Sequence, residues 1–296
     1  MPAHTTMAST YAVLIGLLTS MPAAATPFFF STGDPDGKMA TASRPSTAGK
    51  FEIESADDFV LTQPTSITSA TFTGLLTGGA TVADIGQVVV EIYRVFPKDS
   101  DVGRTSGPPT FSTSNVPTRV NSPSDNEFHD PDLRNINVAD LGTFTAAKSV
   151  QPGGIPIPGL TPTGGDGPVV GEEVEFDVDF TAPFFLPPDH YFFVPQVGIT
   201  TADGEFLWLS APRPIVSPGT PFPAGFTDLQ SWTRDEALDP DWLRVGTDIV
   251  GGMPAPTFNA TFSLTGTVPE PASWSLLGAA LVGLGLVQLR RNRARS

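Results

Sequence analysis

The regular alternation of apolar and polar side chains predicts β-strands in several parts of the chain. Between residues 173 and 180 apolar and acidic residues alternate strictly, and between 258 and 265 apolar residues alternate with uncharged polar ones. A repeat of two residues is that of an extended strand with one buried face. The run Val88, Val89 and Val90, followed by Ile92 and Tyr93, is apolar on both faces and predicts a central strand.

Short strands of this kind, without long helices, predict an all-β protein. No window of twelve or more residues between 26 and 267 has the helical repeat, and the 29 glycines and 31 prolines favour turns. We expect one domain over residues 26–267, folded as a jelly-roll-like antiparallel β-sandwich. Residues 97–131 and 151–168 are rich in turn-forming residues and are predicted to be long loops.

The composition excludes several classes of function. The formal net charge is −15, which disfavours binding to the phosphate backbone of a nucleic acid. The absence of cysteine excludes disulfides, thiol nucleophiles and thiolate metal sites. Hydrophobic residues make up 40% of the chain and include 21 phenylalanines, which is enough to form a core.

The first 25 residues have the organisation of a secretory signal peptide. An apolar run from Tyr11 to Leu18 is too short to cross a membrane and is followed by Ala23, Ala24 and Ala25. Small residues at positions 23 and 25 fit a signal-peptidase site, so we expect cleavage after Ala25. A signal peptide at residues 1–25 implies that the following domain is exported.

The C-terminal residues predict a single transmembrane helix. Residues 272–289 form a stretch of 18 residues without a charge, which is long enough to cross a bilayer as a helix. Trp274 lies near one end of this stretch, where an indole ring favours the membrane interface. The tail at 290–296 contains four arginines: Arg290, Arg291, Arg293 and Arg295. The positive-inside rule keeps this tail in the cytoplasm, so the domain at 26–267 faces outward.

The order of features at this end resembles a known sorting signal. Val268, Pro269, Glu270 and Pro271 precede the apolar span, and the arginine cluster follows it. This order over residues 268–296 resembles the PEP-CTERM signal of Gram-negative bacteria that make exopolysaccharide. Tails of this kind also carry the name "ice-binding protein C-terminal", but that name is no evidence that this protein binds ice. The resemblance implies an exosortase, a membrane transpeptidase-like enzyme, that cuts near the Pro-Glu-Pro triad.

The same resemblance implies where the protein is found. The precursor is expected to be anchored in the inner membrane, and the processed domain is expected at the cell surface or in the extracellular matrix, as in a biofilm. The alternative explanation of the apolar span is a plain membrane anchor that is not processed.

Export into a polysaccharide matrix leads to three hypotheses for the domain. The first is a structural or adhesive protein without enzymatic activity, because neither His129 nor His190 is accompanied by the Gly-x-Ser-x-Gly motif of a serine hydrolase. The second is a carbohydrate-binding module in which Trp232 and Trp242, placed in loop-like sequence, stack on matrix polysaccharide. The third is a polysaccharide hydrolase that uses a pair of carboxylates.

Acidic turns raise the question of Ca²⁺ binding. Three Asp-Pro-Asp triplets begin at Asp34, Asp130 and Asp239, and Asp99 and Asp101 form a similar pair. Carboxylates on a turn suit Ca²⁺, but Asp and Pro also form a turn without any metal, because Asp bonds to nearby backbone and Pro fixes φ. We therefore expect turns and no cofactor, with Asp99 and Asp101 as the residues to test for Ca²⁺.

Overall fold

The computed structural model describes residues 25–47, 49–100, 120–152, 162–235 and 242–269. Residues Thr26–Pro269 form one compact unit. The predicted signal peptide up to residue 24, the predicted transmembrane segment at 272–289 and the arginine-rich tail lie outside the described residues. Within the described part of the chain, no helix is both long and apolar enough to cross a membrane.

Strands dominate the described structure. They are β1 Thr26–Ser31, β2 Ala40–Ala42, β3 Ile53–Leu61, β4 Thr65–Thr77, β5 Ile85–Val95, β6 Pro123–His129, β7 Leu133–Ala146, β8 Ser149–Val150, β9 Val169–Leu186, β10 Asp189–Ile199, β11 Glu205–Ala211, β12 Trp232–Asp235, β13 Leu243–Arg244, β14 Asn259–Ala260 and β15 Phe262–Val268. A 3₁₀ turn covers Val82–Asp84, and a π-helical turn covers Val245–Val250.

These strands form two sheets. The first has the order β1-β15-β4-β11-β2-β8, and in addition β9 pairs with β4, β7 with β9, and β14 with β11. The second has the order β13-β12-β3-β10-β5-β6. The pairing is antiparallel throughout the second sheet, and in the first sheet the short pair of β2 and β8 is parallel. The all-β sandwich of two antiparallel sheets predicted from the sequence is thus confirmed.

The main core lies between the two sheets and is rich in phenylalanine. Phe176 on β9 is fully buried, and its ring stacks on that of Phe72 on β4 at a centroid distance of 4.7 Å. Phe193 on β10 crosses from the second sheet to stack on Phe262 of β15 at 4.9 Å. Phe176 reaches this core because apolar and acidic residues alternate at 173–180 and every second side chain of a strand points to the same face.

The second sheet is also covered on its other face. Successive residues of a strand point to opposite faces, so Phe192 faces away from the main core that contains Phe193. Phe192 packs there in a separate apolar cluster with Tyr93 of β5 and with Trp232 and Trp242. Both faces of β10 are therefore buried. Polar side chains on the outer face of this sheet can thus be shielded from solvent.

Two parts of the fold differ from the sequence-based prediction. The segment predicted as a loop at 97–131 contains strand β6, and residues 133–146, for which no strand was predicted, form the 14-residue strand β7. Strand β7 pairs with β9 along its length, and most of its side chains are exposed. A strand with both faces largely in solvent needs no apolar alternation, because backbone hydrogen bonds to β9 hold it in place.

Candidate functional site

The compact unit ends at Val268 and Pro269, where the predicted sorting signal begins; we call these two residues the sorting junction. Strand β15 ends at Val268, which is half-buried, and Pro269 is exposed. Val268 pairs with Thr26, the first residue of β1, so the two ends of the compact unit lie side by side on one sheet. A cut after Ala25 and a second cut beyond Val268 would therefore leave the pairing of β1 with β15 intact.

A second place with chemical potential is a group of glutamates on the outer side of the second sheet. Carboxylate oxygens of Glu52, Glu54 and Glu91 lie within 4.8 Å of one another. We call these three residues the acidic cluster. Glu54 is the second residue of β3 and Glu52 directly precedes this strand, whereas Glu91 comes from β5. Strand β10 lies between β3 and β5 and carries Gln196.

Glu54 forms the buried end of the cluster. Arg234 on β12 binds its carboxylate through Nε and through Nη2, the latter at 2.9 Å from Oε1. The Tyr93 hydroxyl donates to the same Oε1 at 2.6 Å and lies 3.0 Å from Oε2 of Glu91. Arg234 also donates to the Tyr93 oxygen at 3.0 Å. This network fixes Glu54 and also reaches Glu91 through the Tyr93 hydroxyl.

Burial and neighbouring charges shift the pKa values of Glu91 and Tyr93. Burial raises the pKa of Glu91 to about 7; the hydrogen bond from Tyr93 lowers it, and the charges of Glu52, Glu127 and Asp130 raise it further. Burial also raises the pKa of Tyr93, as does the charge of Glu91. Burial first, and the neighbouring carboxylates in addition, thus favour the protonated form of Glu91.

The acidic cluster opens on a cleft of about 560 Å³. Glu52, Glu91 and Gln196 line one part of it, and Asp130 and Asp132 of the second Asp-Pro-Asp triplet line another. No aromatic side chain of the described residues lines this cleft. The cleft therefore offers oxygen ligands and negative charge, and it lacks a platform for stacking on a sugar ring.

A second group of acids is fully enclosed. Asp57 accepts a hydrogen bond from the backbone N–H of Ala260 at 2.8 Å, and Asp58 accepts one from Leu229 at 3.1 Å. Oδ2 of Asp58 also shares a hydrogen bond of 2.6 Å with Nε2 of His190. Burial raises the pKa of both aspartates well above the usual range and lowers the pKa of His190 to about 4. These hydrogen bonds tie neighbouring segments to β3.

The two tryptophans proposed for sugar stacking are not available for it. Trp232 is 3% exposed and Trp242 is 2% exposed, and both belong to the apolar cluster on the outer side of the second sheet. The indole N–H of Trp242 donates to the carbonyl of Ser124 at 3.0 Å. Arg234 lies over the Trp242 ring at 4.7 Å. A buried ring presents no face to a ligand, so this interpretation of the two residues is corrected.

The acidic turns predicted from the sequence have structural roles where they are described. Asp99 adopts a positive φ of 55° and lies with Oδ2 at 3.6 Å from Nε of Arg94. Asp36 of the first triplet accepts hydrogen bonds from the backbone of Lys38 and from the Ser210 hydroxyl. The second triplet connects β6 to β7. Asp101 and the triplet at 239–241 lie outside the described residues.

Sequence patterns did not single out the acidic cluster or the enclosed aspartates. Their signal is a charged or amide residue inside an otherwise apolar strand, such as Glu91 after three valines or Gln196 after Val194 and Pro195. A polar residue at such a position is either paired or functional, because burying it alone is unfavourable. Such a position can be recognised in a sequence only after the strands themselves have been identified.

Comparison with known proteins adds one finding at the sorting junction. Residues 267–291 match the model of the PEP-CTERM protein-sorting motif. The match begins at Thr267 in β15 and includes the predicted triad and the whole of the predicted span at 272–289. The comparisons with curated proteins and with solved structures found no match to the chain.

The sorting motif implies an exported protein whose precursor is anchored in the membrane, with an exosortase as its processing partner. Its exported part is a β-sandwich in which polar clusters lie on the outer side of the second sheet.

Proposed function

We propose that the chain is a surface-sorted protein of the exopolysaccharide matrix, with a structural or adhesive role and no catalytic activity. The observation that carries this proposal is the sorting motif at residues 267–291 directly behind a compact sandwich. The arrangement of the ends supports it, because Thr26 starts β1 and Val268 ends its partner β15. Removal of both flanking segments therefore releases the domain with its described strands complete.

A catalytic alternative has one specific observation in its favour. Glu91, with a pKa of about 7, resembles a general acid, and a carboxylate of Glu52 lies within 4.8 Å. Retaining glycosidases use two carboxyl groups about 5 Å apart. Against this alternative, the cleft lacks an aromatic wall among the described residues, and Glu54 is bound by Arg234. A polysaccharide hydrolase is thus the second candidate.

Fractionation of the producing bacterium tests the proposal. We expect the domain in the matrix fraction in cells with an active exosortase, and in the membrane fraction when Pro269, Glu270 and Pro271 are all replaced by alanine. A matched control is Pro35→Ala, which changes a proline in a turn far from the motif in sequence. If the triple variant reaches the matrix as well as the control does, sorting through this motif is contradicted.

Two assays on the purified protein separate the hypotheses for the domain. Incubation with matrix polysaccharide should release no reducing sugar; release that disappears in Glu91→Gln would support the hydrolase instead. Binding to a glycan array would favour a carbohydrate-binding module, using residues other than the two buried tryptophans.

A further inference from the structure

We infer that the cleft beside the acidic cluster binds one Ca²⁺ ion through Glu52, Glu91 and the side-chain oxygen of Gln196. The inference does not depend on the proposed function. It places the ion away from Asp99, whose carboxylate lies beside Arg94.

The spacing of the carboxylates fits a shared cation. Ligand oxygens of Ca²⁺ lie at about 2.3–2.6 Å from the ion, so two ligands of one ion can be up to about 5 Å apart. The oxygens of the acidic cluster fall within 4.8 Å of one another. Glu54 is held by Arg234, whereas Glu52 and Glu91 line the wall of the cleft, where a carboxylate oxygen of each can contact an ion.

Gln196 supplies the independent observation. Its side chain is 0% exposed, and its Oε1 is buried without a hydrogen-bond partner among the described residues. Its Nε2 donates to Oε1 of Glu52 at 2.9 Å, which fixes the amide orientation, since the reverse would place two acceptor oxygens together. Gln196 lies opposite Val89, and Glu91 lies opposite Val194, two residues before Gln196, so both side chains are on one face of the sheet. Gln196 also lines the cleft together with Glu52 and Glu91, so the unpartnered oxygen belongs to a side chain of the same site. A buried acceptor of this kind requires a donor or a cation.

The ligand chemistry selects the kind of ion. Carboxylate and amide oxygens are hard ligands, and no histidine belongs to the cluster in the described structure. Ca²⁺ accepts six to eight oxygens in flexible geometry and can complete its shell with water, whereas Mg²⁺ demands a near-ideal octahedron. Water can enter through the cleft, and Asp130 and Asp132 on the same cleft add negative charge that attracts a divalent cation.

Calorimetric titration of the full chain in detergent, after removal of bound metal, tests the site. We expect CaCl₂ to bind with one-to-one stoichiometry and a Kd of about 10⁻⁴–10⁻³ M, the range of extracellular modules. MgCl₂, and NaCl at matched ionic strength, should give at least tenfold weaker binding or none. Ca²⁺ should also raise the Tm more than NaCl does at the same ionic strength.

Variants locate the ion. Glu91→Gln and Gln196→Leu should each lower the Ca²⁺ affinity at least tenfold. Glu175→Gln makes the same charge change as Glu91→Gln at an exposed position of β9 and should leave the affinity unchanged. If the buried variants fail to fold, as judged by circular dichroism, the partly exposed Glu52→Gln decides in their place.

Three results would overturn the inference. The first is equal Ca²⁺ binding in Glu175→Gln and in the folded cluster variants. The second is an equal rise in Tm with Ca²⁺ and Na⁺ at matched ionic strength, which means charge screening alone. The third is loss of binding in Asp99→Asn, which would move the site to that turn.

Discussion

Replacing Phe176 by alanine tests whether the alternating face of β9 forms the core. The ring of Phe176 is fully buried, stacks on Phe72 at 4.7 Å with an interplanar angle of 6°, and meets Phe206 edge-on at 5.5 Å. The substitution removes the ring from between two aromatic partners and leaves a cavity that the strands on either side of β9 can fill only in part.

The expected loss of stability follows from this packing. Truncation of a buried phenylalanine costs about 3–5 kcal/mol, and two aromatic contacts, each worth about 0.5–1.5 kcal/mol, place Phe176 toward the upper end. In a domain of this size each kcal/mol lowers the Tm by about 2–4 °C, so the Tm should fall by about 6–20 °C. Thermal unfolding followed by circular dichroism or calorimetry measures this shift.

The adjacent residue is the matched control. Glu175 is exposed on the opposite face of β9, so Glu175→Ala should change the free energy of unfolding by no more than about 0.5 kcal/mol. A Tm for Phe176→Ala within 2 °C of that for Glu175→Ala, roughly the shift that 0.5 kcal/mol produces, would refute the assignment of the buried face.

Three further predictions concern the buried charges and the domain limits. His190 has a pKa of about 4 in the folded state against 6.5 in the unfolded state, so the unfolded state binds the proton first and stability is lost as the pH falls from 6.5 to 4. The expected loss is about 3 kcal/mol. Parallel curves of Tm against pH for the wild type and His190→Gln would contradict this prediction. Arg234→Met leaves Glu54 buried without its guanidinium and should cost about 3–5 kcal/mol in urea unfolding, whereas Arg134→Met on the surface should cost less than about 1 kcal/mol. A chain of residues 26–268 should fold alone with a β-type circular dichroism spectrum, and a spectrum dominated by helix would contradict the sandwich.

The sequence predicts those parts of the fold that depend on one strand at a time. The alternation at residues 173–180 predicts the buried face of β9, because one face meets the core and the other meets solvent. Val88–Tyr93 predicts a strand with neighbours on both sides, and β5 indeed pairs with β10 and β6. Strand β7 escapes prediction because its exposed faces leave no pattern, and its position depends on hydrogen bonds to β9.

The candidate site depends on pairing between distant strands and therefore could not be predicted. Glu52 and Glu91 meet only because β10 separates β3 from β5 by a single strand, with Gln196 opposite Val89. Trp232 was predicted in a loop and is buried in β12, because it pairs with β3 and packs in the outer apolar cluster. The sorting motif is the exception, since its signal lies in the order of residues along the chain.

The mass of the protein released by the native host tests the central claim, that the chain is exported and processed at its sorting motif. Intact mass spectrometry of the matrix fraction should give a chain that begins at Thr26 and ends between Val268 and Trp274, so that the paired strands β1 and β15 are complete. A released protein that retains residues beyond Trp274 would contradict processing at the motif, and with it the proposed route to the matrix.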